Sequence, residues 1–235
     1  PAVVDPEFLP KGLHDLGEAQ MSQRLQEAID ATDASRYDAI LLAYGLCNYG
    51  VCGLRAPLPL VLPRAHDCIT LLLGSRARYE QHFADNPATF YRSPGWIERD
   101  SDPDANPASV TSRMGITHDY AKLVEQYGED NAEFLMDMIG DWLKHYKRLC
   151  LITTGVGPEE EYRQCSRAQA EEKGWLYEEV AGDTSLIQRL LNGEWDEREC
   201  LVLQPGEKIA ASHEEGVIRS ECAGCGWKAK ESTCP

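Results

Sequence analysis

The chain alternates short, largely apolar runs, several closed by glycine or proline, with amphipathic stretches. A strand that is apolar at every position buries both faces, the habit of parallel sheets covered by helices. Residues 37–44, 58–62 and 200–203 are largely of this character, and 148–154 and 175–180 read as two further strands. Ala19, Met21, Leu25, Ala28 and Ile29 share one face of a helix expected over 18–31,. Residues 159–173 and 184–192 read as two further helices, the second closed by Gly193,. Residues 118–126 and 130–146 are helical in pattern too, the latter with Phe134, Leu135, Met138, Ile139, Trp142 and Leu143 on one broad face. Strands alternating with helices predict an α/β fold: a doubly wound, mostly parallel sheet flanked by helices, Rossmann-like in plan.

The α/β domain is expected to cover residues 1–212, with two halves of similar plan over 1–115 and 116–212. Residues 213–235 read as a polar, cysteine-bearing tail. Between 86 and 107 the chain is rich in Pro, Asp, Ser and Asn, a loop or excursion from the sheet anchored by Tyr91 and Trp96,.

Thirty-nine acidic residues against 23 basic ones give a net charge of −16. A phosphate backbone or an anionic membrane needs a basic face, so neither is an expected partner. No apolar run approaches the roughly 20 residues that span a bilayer. No basic segment followed by an apolar one opens the chain, so the expected location is the cytoplasm. Nine cysteines, odd in number and clustered, fit metal or redox chemistry better than a disulfide scaffold,. Cys150 and Cys200 stand apart, each inside an apolar run as a small buried hydrophobe,.

Ligands of parallel sheets collect beyond the carboxyl ends of the strands. Tyr44-Gly45-Leu46-Cys47-Asn48 follows the first run and Pro63-Arg64-Ala65-His66-Asp67-Cys68 the second. Gly45 lets backbone approach a ligand, Asn48 and Arg64 are polar contacts for it, and Asp67 is a cap or a support for the ligands. Cys47, Cys68 and His66 supply two soft sulfurs and one imidazole, a set suited to zinc or an iron–sulfur centre and poorly suited to magnesium or calcium. Iron–sulfur and zinc are nearly tied. Cys52 is an optional further ligand. A metal-free reading makes Cys47 or Cys68 a nucleophile with His66 as its base. Cys222 and Cys225, a CxxC pair followed by Cys234, resemble half of a zinc ribbon,. Gly155-Val156-Gly157 lacks the residues of a phosphate-binding fingerprint and reads as a tight strand-to-helix turn,.

These segments carry a family resemblance. Gly12-Leu13-His14, Tyr44-Gly45-Leu46-Cys47-Asn48, Arg64-Ala65-His66-Asp67-Cys68, Phe90-Tyr91-Arg92-Ser93-Pro94-Gly95-Trp96 and Leu203-Gln204-Pro205-Gly206 resemble the domain-of-unknown-function 1638 family over most of the chain to about residue 210. The resemblance implies a prokaryotic cytoplasmic protein associated with corrinoid-dependent methyltransferases of methylamine-type one-carbon metabolism. A corrinoid protein or a methyltransferase is the implied partner, beside a second copy of the chain. It supplies no established reaction. Family members usually begin with an additional cysteine-bearing strand, expected to be missing from this chain. The leading expectation is a metal-binding α/β protein of methyl-group metabolism, the alternatives a metal-free cysteine enzyme and a non-catalytic accessory subunit.

Overall fold

The computed structural model describes residues 3–100, 124, 129, 145–212 and 216–223. The helices expected over 118–126 and 130–146, the boundary expected at 115, Cys225 and Cys234 lie wholly or largely outside these residues. The protein is a mixed α/β chain with a parallel sheet flanked by helices. It divides into two compact units, one formed by Pro1–Val4, Glu18–Cys68 and Leu186–Pro235, the other by Asp5–Gly17 and Ile69–Ser185. In sequence, the main part of the second unit is therefore an insertion between two segments of the first.

In the first unit, helix α1 (Glu18–Asp30) buries Met21, Leu25 and Ile29, the apolar stripe its spacing implies. Strand β1 (Ile40–Leu41) is shorter than the apolar run around it and pairs in parallel with β2 (Leu60–Pro63), Ile40 opposite Leu60 and Leu41 opposite Val61. All four residues of β2 are buried, as its uninterrupted apolar sequence predicts,. β6 (Cys200–Leu203) covers the other edge of β2 and runs antiparallel to it, with Pro63 opposite Cys200. The expectation of parallel strands fails here because an apolar run records burial on both faces and not direction. Val61, Leu190 and Cys200 form a core with Leu41, Trp195 and Val202.

Residues 218–222, within the stretch expected to be a polar tail, are paired with a strand that precedes it. β7 (Glu207–Ala211) and β8 (Ile218–Cys222) form an antiparallel hairpin with Ala211 opposite Ile218. Only Ile209 on β7 and Ile218 on β8 are buried, too few for an apolar alternation to show in the sequence. Val217, at φ 63°, holds a conformation that a β-branched residue rarely adopts,. The carbonyls on either side of it, Gly216 and Ile218, both accept from Nη1 of Arg64, while Nε of Arg64 donates to the Glu197 carbonyl at 2.8 Å.

The second unit holds the parallel sheet in the order β3 (Thr89–Arg92), β4 (Arg148–Thr153), β5 (Leu176–Ala181). β3 lies in the stretch read as a loop; its Thr-Phe-Tyr-Arg sequence is strand-forming, but proline and asparagine around it mask the signal,. Helix α2 (Cys68–Leu73) is followed by α3 (Arg76–Asp85), capped by the Ser75 hydroxyl, and by α4 (Pro94–Asp100). Helix α5 (Glu159–Lys173) joins β4 to β5, with three glutamates in its first turn and Gly174 in the left-handed C-cap,. Helix α6 (Ser185–Asn192) carries the chain back to the first unit. Leu73, Cys150, Ile152 and Val180 make one core with Tyr79 and Tyr91 packed on it; Ile97, Leu151 and Tyr162 make another. Arg92 is buried and ion-paired with Asp100. Trp96 lies against the Arg99 guanidinium, 5.2 Å from its ring centre. Among the described residues no helix is long and apolar enough to cross a membrane.

Arg64→Met keeps the length and removes the donors. It is expected to cost roughly 1.5–3 kcal/mol, the range for hydrogen bonds to a charged group. Hydrogen exchange should accelerate first at 207–211 and 218–222, before α1 or β2 is affected.

Candidate functional site

Because β1 and β2 are parallel, the loops at their carboxyl ends leave the sheet on one side,. Their pairing continues past the strands. Leu46 donates its amide to the Ala65 carbonyl at 2.8 Å, and Cys47 donates to the His66 carbonyl at 2.9 Å. Gly45 permits this approach: a Cβ there would lie 2.8 Å from both the Cα and the amide nitrogen of Asp67. The two cysteine-bearing loops are thus laced together by main chain within the first unit.

After Leu46 the chain turns through Cys47, Asn48 and Tyr49 at φ 23°, 33° and 65°, three consecutive non-glycine residues on the left-handed side. Such residues each cost on the order of 1 kcal/mol, and they persist where surrounding structure holds them. Gly50 closes the turn through its amide on the Cys47 carbonyl, at 3.0 Å. Space for any side chain at Gly50 is taken by Met21 of α1. Asn48 and Tyr49 remain exposed, Tyr49 at 49%.

The Cys47 sulfur is directed to the second loop, where the main chain at Cys68 hydrogen-bonds to it, as does the main chain at Gly45. Burial foremost, then the neighbouring Cys68 and Asp67, push the Cys47 thiol up to about 12,. Burial and then Cys47 push the Tyr44 phenol up in turn. The site is therefore a pair of half-buried thiols, Cys47 and Cys68, beside one carboxyl and one phenol.

The other residues singled out in the sequence take different places. His66 contributes its carbonyl to the loop pairing, while the residue itself is exposed. Among the described residues no group of three or more His, Cys, Asp or Glu is arranged to hold a metal ion. The expected set of Cys47, His66 and Cys68 is accordingly not assembled as a three-donor site. Arg64, expected near a ligand, directs its guanidinium to the carbonyls of 197, 216 and 218 and braces the hairpin. Asp67 is half-buried between the loops. Cys222 is exposed at the end of β8, opposite Glu207, and Cys225 lies outside the described residues. Cys52 is half-buried and its carbonyl accepts from the Ser22 hydroxyl at 3.3 Å. Cys150 and Cys200 are each 2% exposed, and burial pushes both thiols up to about 11. In the Gly155-Val156-Gly157 turn, the Gly155 amide is bonded by the Glu159 carboxylate at 2.7 Å. An internal carboxylate thus occupies the turn.

Tyr44 and Tyr49 enter the site without a sequence signal of their own. Asn48 carries a weak one, since asparagine tolerates left-handed backbone better than most residues.

A family model described as "Protein of unknown function (DUF1638)" matches residues 8–191. The chain belongs to this family. The span common to the family includes both loops of the thiol pair and stops before β6 and the β7–β8 hairpin. No curated protein and no solved structure matches the chain.

Two substitutions in the first loop should move stability in opposite directions. Gly45→Ala forces a Cβ into the Asp67 main chain and should cost about 1–3 kcal/mol, as overpacking does. Tyr49→Gly relieves left-handed strain and should be neutral or stabilising by up to about 1 kcal/mol. Urea unfolding of both variants checks the two signs. The raised Cys47 thiol carries its own consequence. Iodoacetamide should label Cys47 in the folded protein far more slowly than exposed Cys165 at pH 7, and the Cys47 rate should climb towards pH 11. Peptide mapping of quenched samples reads both rates.

Proposed function

We propose that the chain is a Rossmann-like α/β protein of cytoplasmic one-carbon metabolism in which the paired thiols of Cys47 and Cys68 take up a thiophilic metal ion, in the service of a corrinoid protein or a methyltransferase. The observation that supports the metal reading is the hydrogen bond from the Cys68 main chain to the Cys47 sulfur, which sets that sulfur beside a second cysteine at the carboxyl end of a parallel strand pair. The methyl-transfer setting, the cytoplasmic location and the partner rest on the family resemblance. The parallel sheet β3–β4–β5 with its crossover helix α5 supports the Rossmann-like reading.

Two sulfurs are half of what a structural zinc site or a cluster requires. A single ion with open positions suits this donor set better than an iron–sulfur cluster, which would need further thiolates. Asp67, His66 after a side-chain rotation, or a bound small molecule would complete the coordination. Cys222 and Cys225 would serve only as an added pair. The bare-nucleophile alternative is less well supported, because a catalytic thiol needs a lowered pKa and that of Cys47 is raised,.

Titration of the reduced, metal-stripped protein with zinc, and with cobalt(II) as a coloured substitute, tests the reading. One equivalent should bind with sulfur-to-cobalt charge-transfer bands, and Cys47→Ser or Cys68→Ser should weaken binding by roughly tenfold or more. Absence of stoichiometric binding, or binding indifferent to both substitutions, overturns it.

A further inference from the structure

We propose that Cys47 and Cys68 also form a two-electron dithiol–disulfide couple, whose oxidised form is a bond between the two loops. The inference rests on the same paired-thiol geometry as the metal reading and does not require a metal. Three contacts carry it. The Cys47 amide is bonded at 2.9 Å to the carbonyl of His66, two residues before Cys68. The Gly45 backbone approaches Asp67 so closely that a Cβ would stand 2.8 Å from it. The Cys68 main chain hydrogen-bonds to the Cys47 sulfur. A sulfur hydrogen-bonded to the main chain of another cysteine is a near neighbour of that residue's side chain. Two cysteines on loops held together in this way can reach the separation that a disulfide demands by side-chain rotation, with the strands beneath them left in place. Both are partly accessible, so a small oxidant has a route that Cys150 and Cys200, at 2% exposure, do not offer.

The left-handed turn of residues 47–49 adds a reason for the pair. Glycine would adopt those angles without strain, yet the chain keeps a cysteine at the first of them. A loop that holds a thiol against its preferred backbone, opposite a second thiol, is organised for sulfur chemistry rather than for filling space.

The oxidant is a small organic disulfide. One thiol of the pair, losing its proton, attacks a sulfur of that disulfide; the S–S bond breaks and one small thiol leaves, carrying a proton. The second protein thiol then attacks the mixed disulfide, and the second small thiol leaves with the other proton. The net change is protein dithiol plus small disulfide to protein disulfide plus two small thiols, the protein losing two electrons and the small disulfide gaining them.

The test equilibrates metal-free full-length protein in glutathione buffers of graded ratio, traps thiols with an alkylating agent, and maps peptides by mass spectrometry. In parallel, zinc is titrated into the fully reduced sample. A Cys47–Cys68 linked peptide should appear over a single two-electron transition, vanish in Cys47→Ser and Cys68→Ser, persist in Cys165→Ser, and abolish zinc uptake as it forms. If the linked peptide forms while the reduced protein binds no zinc, the couple stands and the metal reading falls. If zinc binds but Cys47 and Cys68 stay separately alkylated in the most oxidising buffer, the metal reading stands and the couple is overturned. Linkage of either cysteine mainly to a third one, or neither linkage nor zinc binding, overturns the couple.

Discussion

The parallel pairing of β1 with β2 is the constraint on which the rest of the site depends. β1 contributes only two residues to the sheet, yet the hydrogen bonding started there runs on through Leu46 and Cys47 to Ala65 and His66. An antiparallel pair would have placed the end of one strand beside the start of the other, setting Cys47 and Cys68 at opposite ends of the sheet. Four buried residues of β2, held between β1 and β6, make the platform rigid, and the loops inherit its register.

Two local strains accompany this arrangement, each met by a specific partner. The left-handed turn at 47–49 is closed by Gly50, which fits only because it has no side chain where Met21 packs. Val217 is held in a left-handed conformation by the Arg64 guanidinium, which takes the carbonyls on both sides of it. Arg64 leaves the sheet two residues before His66, so the segment after β2 braces the hairpin with one side chain and builds the thiol site with the next few. Strain of this sort is stable only when neighbouring contacts over-determine it, and main-chain acceptors on a single guanidinium do so.

What the sequence made legible follows from periodicity and punctuation. Helices α1 and α5 and strands β2, β4 and β5 lie within a residue or two of where the alternation of apolar runs and helical stretches puts them. The direction of β6 was not legible, since burial of both faces is the same in either direction. Neither were β7 and β8, whose pairing is carried by backbone and two buried isoleucines. At the site, Cys47 and Cys68 were recoverable because both stand just past strand ends. Residues 64–67 belong to an irregular segment with no period, so nothing in the sequence distinguishes the half-buried Cys68 from the exposed His66 or the diverted Arg64. Gly45 was recognised as a point of close approach, but the backbone it admits is the chain's own, at Asp67.

The electrostatics of the pair bear on what it is suited to hold. Cys47 keeps its proton because burial penalises its thiolate and because Cys68 and Asp67 would add negative charge beside it. The main-chain hydrogen bonds at Cys68 and Gly45 offset part of this penalty and leave the greater part in place. Burial and two neighbouring acidic groups, with no cation among the influences acting on it, hold the proton on the Cys47 thiol at neutral pH,. A metal ion or a sulfur–sulfur bond relieves the same difficulty by different means, the first by supplying positive charge and the second by removing both thiol protons with two electrons. An anionic ligand would worsen it. The local charge therefore selects against phosphate or carboxylate occupants here, in line with the overall charge of −16, and it favours the two fates that two adjacent sulfurs can share.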